Sequence, residues 1–161
     1  MPPRDTKRAT ERDFIMAPNL LEKTALCLSG LTALGIGTFI LLAPHPFYAS
    51  YGIKLGDDAS LLSELRALAA GLAALGVIML AGIFRSPLTQ VSIVAALTVF
   101  LGFPTGRIIG LVVDGMPSAS VFGALIVELS IATLCLIAFR KWLLPKRTGS
   151  GGRVVRPGAA S

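Results

Sequence analysis

The feature that most constrains this chain is a series of four apolar runs, each long enough to cross a bilayer. Residues 24–43, TALCLSGLTALGIGTFILLA, are twenty residues without a charge. At a rise of 1.5 Å per residue, an α-helix of about that length spans roughly 30 Å of hydrocarbon. Comparable runs follow over residues 61–84, 89–113 and 120–139, interrupted only by a few ionisable side chains. The composition agrees: of 161 residues, 53% are hydrophobic and 15% charged, with mean hydropathy +0.74, whereas soluble domains carry about 25% charged residues. A disordered chain, a disulfide-rich secreted scaffold and a large two-domain enzyme are excluded. The expected fold is an all-α membrane protein, a four-helix transmembrane bundle over residues 20–143, with tails at 1–19 and 144–161.

The links between the runs carry helix-stop and helix-start chemistry. Pro44, His45 and Pro46 end the first run, and the stretch to Ser60 is expected to be the longest internal loop, with Phe47, Tyr48 and Tyr51 suited to the membrane interface. Asp57, Asp58 and Ser60 offer cap oxygens for the second span. Arg85, Ser86 and Pro87 make one tight turn, and Gly115, Met116 and Pro117 another. A cleavable signal peptide is disfavoured, because the first run is longer than a signal core and its leading segment contains Asp5, Glu11, Asp13 and Glu22.

Charge distribution predicts orientation. Arg4, Lys7, Arg8, Arg12 and Lys23 precede the first span, six basic residues from Arg140 to Arg156 follow the fourth, and Arg85 lies between spans two and three. The opposite loops hold only Lys54. The positive-inside rule then places both termini in the cytoplasm (N-in/C-in), and residues 44–60 and 115–119 on the far side, the periplasm of a bacterial inner membrane. The same rule explains the net charge of +6. No aromatics interleave the basic tails as a nucleic-acid binder requires, so nucleic acid is not an expected partner.

Helices in lipid associate where small residues let backbones approach. Gly102, Gly106 and Gly110 recur every four residues on span three, Ser29, Ala33 and Gly37 on span one, and Ala67 and Gly71 on span two, while Ala124 and Ala132 flank Glu128 on span four. These faces suit packing within the bundle or the seam of a homodimer.

Five ionisable residues lie within or at the ends of the spans: Glu64, Arg66, Arg107, Asp114 and Glu128. Intramembrane charges are expensive and call for a partner or a function. Arg107 and Glu128 fall about seven and eight residues from their outer helix ends, both roughly 10–12 Å deep, and are expected to meet. Glu64 is assigned to the Arg107 side, leaving Arg66 to snorkel or to pair with Asp114. The cluster reads either as an ion-pair network that fixes packing, or as a polar pocket for an anionic headgroup, a small anion or a proton. Pro104, three residues before Arg107, frees backbone carbonyls and favours the pocket.

His45, between two prolines, reads as an interface residue, and no metal is expected. Cys27 and Cys135 lack C-x-x-C spacing and read as small packing residues. There is no Walker motif, dinucleotide loop or H-E-x-x-H, so an ordinary hydrolase or nucleotide enzyme is disfavoured, and no cofactor is expected.

The segments LLAPHPFYASYGIKL, LLSELRALAAGL, GFPTGRIIGLVVDGMPS and VELSIATL resemble a family of small bacterial four-helix membrane proteins known as a domain of unknown function. The resemblance covers residues 24–141 and rests on Glu64 with Arg66, Gly106 with Arg107, Asp114, Gly115 and Pro117, and Glu128. It implies a polytopic inner-membrane protein. The plan is also similar to DoxX-like membrane proteins, some tied to quinone or sulfur redox chemistry, although no matching redox motif occurs here. The function expected from the residues is a binding or accessory module that holds a lipid, a quinone or a membrane partner protein from the periplasmic side. The alternative is a small proton- or anion-coupled transporter acting as a homodimer.

Overall fold

In a computed structural model, which describes residues 18–144, the chain forms four long helices and one short one. Helix α1 covers Leu20–Leu42, α2 Pro44–Ser50, α3 Ala59–Phe84, α4 Thr89–Val113 and α5 Ala119–Leu143, with a 3-10 turn at Ser86–Leu88 before α4. The four long helices are each apolar and long enough to span a membrane. The expected tails, apart from residues 18, 19 and 144, lie outside the described residues.

Local chemistry sets the helix ends. Helix α1 starts four residues earlier than its apolar run, because Asn19 and Glu22 form a capping box: each side chain accepts the other's backbone N–H at 2.9 Å. Asp58 caps α3 by accepting from the Leu61 N–H at 2.7 Å, and Ser118 caps α5 through the Val121 N–H at 3.4 Å. The expected loop over residues 44–60 is in part a helix. Pro44 opens α2 in the first turn, where its fixed φ suits a helix and its missing N–H costs nothing.

The long helices run alternately up and down and close into a ring, α1 beside α3, α3 beside α4, α4 beside α5 and α5 beside α1. Helices α1 and α3 make the closest pair. A Cβ on Gly37 would lie 2.6 Å from the Ala73 backbone nitrogen, and one on Gly76 2.5 Å from that of Leu34, so the two backbones touch only because these positions are glycine. Ser29, Ala33 and Gly37 are all buried, as their spacing predicts, Gly37 against α3 and Ser29 beside Cys135 of α5. Gly82 makes room for Ser92, whose hydroxyl donates to the Ile78 carbonyl at 2.6 Å, while the Thr89 hydroxyl donates to the Gly82 carbonyl at 3.1 Å, knitting α3 to α4.

For the other glycines, the expectation of packing within the bundle is corrected. A Cβ on Gly71, Gly102 or Gly106 would meet nothing within 4 Å, and one on Gly110 meets only Asp114 of its own helix. None of the four packs one helix of this chain on another. On α3 the inward stripe is Ala69, Leu72, Gly76, Met79 and Gly82, which turns Ala67 and Gly71 outward. Cys27 is likewise exposed, whereas Cys135 is buried with its Sγ 3.2 Å from the Ser29 Oγ.

The core is uneven along the bundle. Leu26, Met79, Cys135 and Phe139 are fully buried, and the buried part of α4 stops at Pro104. The half holding the described chain ends is thus densely packed, and the half holding α2 is not. Outside, apolar side chains face away from the protein: Leu68, Phe84 and Val112 are 72%, 84% and 80% exposed. Helices apolar on all sides and bare on their outer faces match a hydrocarbon surround.

Candidate functional site

Antiparallel packing of α4 on α5 brings Arg107 and Glu128 together. The Arg107 Nε–H donates to both carboxylate oxygens of Glu128, at 3.1 Å to Oε1 and 3.0 Å to Oε2. The side chains are 29% and 13% exposed. The pair stands in the wall of a partly open cavity of about 810 Å³ between α1, α3, α4 and α5. The remaining wall is mostly apolar, and Gly102 and Gly106, idle as packing residues, supply open space beside Arg107.

Helix α2 lies over the cavity. Phe47 packs edge-on against Phe39 and Tyr48 at 5.5 and 5.3 Å and stacks at a tilt on Tyr51 at 5.1 Å, and Phe47, Tyr48 and Tyr51 all line the space. These aromatics, expected at the membrane interface, therefore turn inward onto the cavity. Burial pushes the Tyr48 phenol above its usual pKa, and the positive charge of Arg107 offsets part of that rise, so the phenol stays protonated at neutral pH. The Ser118 hydroxyl donates to the Tyr51 carbonyl at 2.8 Å, tying the end of α2 to the start of α5. His45 Nε2 lies 3.3 Å from Asp57, an exposed contact across the α2–α3 link.

The rest of the expected cluster does not assemble. Glu64, Arg66 and Asp114 are exposed, and none forms an ion pair among the described residues. The proposed contact of Glu64 with Arg107, and of Arg66 with Asp114, is absent. The inward stripe of α3 runs through Leu62, Leu65, Ala69 and Leu72, so Glu64 and Arg66 each sit about 100° away on either side of Leu65. Asp114 is the C-cap residue of α4, past the last helical turn. Pro104 is buried inside a helix that continues to Val113. Among the described residues, no group of three or more His, Cys, Asp or Glu could hold a metal ion.

A second polar cluster, absent from the sequence reading, closes the opposite end. Glu22 is fully buried, and its Oε1 accepts from Trp142 Nε1 at 3.0 Å and lies 3.0 Å from Lys141 Nζ. Lys141 also sits 5.6 Å above the Trp142 ring. The available signal was the Asn-x-x-Glu spacing at residues 19–22, which marks a helix start and commits the carboxylate to a fixed direction.

Fold and site together define a small multi-pass membrane bundle with a cavity at one end and a polar clasp at the other. The family model described as a domain of unknown function (DUF4345) matches residues 21–139, and the chain belongs to that family. The match begins in α1 and reaches the last turns of α5, so it includes every helix that walls the cavity. No curated protein matches the chain, and no solved structure does.

Proposed function

We propose that this protein is a membrane-embedded binding module that takes an amphipathic molecule of the bilayer, a lipid or a quinone, into the α2 half of its bundle. The observation that carries this reading is the cavity: about 810 Å³, within the range of small-molecule sites, apolar except for a few convergent polar groups. Its apolar wall suits a hydrocarbon tail, and Arg107, Glu128 and Tyr48 suit a polar head. Dense packing around Leu26, Met79 and Phe139 at the other end supports access from one side over a transport path through the bundle. By the distribution of basic residues, the cavity end faces away from the cytoplasm, as in a bacterial inner-membrane protein with cytoplasmic termini.

The test is native mass spectrometry of the purified full-length chain released from nanodiscs of native lipid. A specific co-purifying amphiphile is expected, and Gly102→Leu should displace it, since a side chain there enters open space. A bound species that is indifferent to Gly102→Leu, or solute flux through the protein in sealed vesicles, would overturn the proposal.

A further inference from the structure

We infer that the head of the cavity's occupant is uncharged and rich in hydrogen-bond acceptors, like the ester and hydroxyl oxygens of a glycerol monoester, with Arg107 and Tyr48 as the groups that read it. The inference rests on the binding reading above and adds the chemistry of the ligand.

Charge balance is the first argument. Among the residues lining the cavity, Arg107 is the one basic and Glu128 the one acidic side chain, and they face one another as an ion pair at 3.0 Å. An anionic or cationic head would leave one unbalanced charge in a mostly apolar wall, where such a charge is strongly penalised. A neutral head leaves none.

Donor count is the second. The single Nε–H of Arg107 serves both oxygens of Glu128, and the four N–H groups on its two Nη atoms make no hydrogen bond among the described residues. No buried side-chain nitrogen or oxygen there lacks a partner, so these Nη donors lie on accessible surface, on a residue that lines the cavity. The protonated Tyr48 hydroxyl, near enough to feel the Arg107 charge, adds another donor to the same wall. A wall that presents donors selects acceptors, and Leu72, Leu75, Phe100 and Phe103 supply an apolar lining for the tail.

Two probes with one tail separate head chemistry from tail burial: 1-oleoylglycerol and 1-oleoylglycerol 3-phosphate, each presented to the full-length protein in phosphatidylcholine nanodiscs and quantified by native mass spectrometry. The wild-type chain is expected to retain the neutral monoester about tenfold better, because the phosphate would bring an unbalanced charge into a mostly apolar wall. Glu128→Gln leaves the Arg107 charge unbalanced and should reverse the preference toward the phosphate. The double variant Arg107→Leu with Glu128→Leu keeps the wall neutral but leaves Tyr48 as the one remaining reader, and should lose most of its preference for the monoester over 1-octadecene. It decides the matter if Glu128→Gln does not fold. Wild-type preference for the phosphate, no reversal in Glu128→Gln, or full monoester selectivity in the double variant overturns the inference and leaves the binding reading standing. Retention of neither probe by the wild type, together with no displaceable native ligand, overturns both.

Discussion

Arg107 and Glu128 hold α4 to α5 chiefly through the penalty of separating them. Replacing one member strands the other as an uncompensated charge, which in a fully buried pair costs about 3–5 kcal/mol. Because these side chains are 29% and 13% exposed, Arg107→Gln should cost less, about 2 kcal/mol, with the double Arg107→Gln/Glu128→Gln milder than the sum of the singles. Thermal unfolding of all four proteins in detergent measures that coupling. At the other end, Glu22→Ala removes the acceptor of the Trp142 N–H, the partner of Lys141 and half of the capping box. The expected loss is about 2–3 kcal/mol. The protein has one tryptophan, so the same change should shift the emission maximum of Trp142 to the red, read directly by fluorescence. Side-chain partners of this kind were half legible beforehand. The Arg107–Glu128 contact follows from matched depth on adjacent antiparallel helices, which spacing supplies. The Glu22–Trp142 contact joins residues 120 apart in the chain, and no local pattern points from one to the other.

Each helix owes its position to a few small residues, and the glycines divide into two kinds that respond oppositely to a methyl group. Gly37→Ala and Gly76→Ala push a Cβ into the backbone of the partner helix, at 2.6 and 2.5 Å from a main-chain nitrogen. They should separate α1 from α3 and destabilise by about 2 kcal/mol, in the range of overpacking elsewhere. Gly71→Ala meets nothing within 4 Å and should be neutral or stabilising by up to about 1 kcal/mol through helix propensity. A melting series of the three variants tests the division. The sequence pattern identified helix length, polarity and most boundaries to within a few residues. The packing within the bundle expected of Gly71, Gly102, Gly106 and Gly110 does not occur, because small residues four apart recur on several faces of these helices. Which face meets a neighbour depends on the rotation of each helix, and helices apolar all round give little signal for rotation.

For the molecule as a whole, the charge pattern yields a prediction of topology. A cysteine placed at Lys54, in a background with Cys27 and Cys135 replaced, should react with a membrane-impermeant maleimide from outside intact cells. A cysteine placed beyond Trp142 should react only after the membrane is opened. The opposite labelling pattern would invert the bundle and place the cavity at the cytoplasmic face. The existence of four spans, their order and their up-and-down course all follow from the apolar runs, because lipid admits only segments that satisfy their own backbone hydrogen bonds, and a run of about twenty apolar residues does so as a helix. The dense half, the cavity beside Arg107 and the inward turn of Tyr48 on α2 follow from tertiary structure instead. They arise where glycines let α1 and α3 touch and where α4 beyond Pro104 has no buried residue and meets α5 through the Arg107–Glu128 pair. Those distances belong to pairs of helices, and no single helix encodes them.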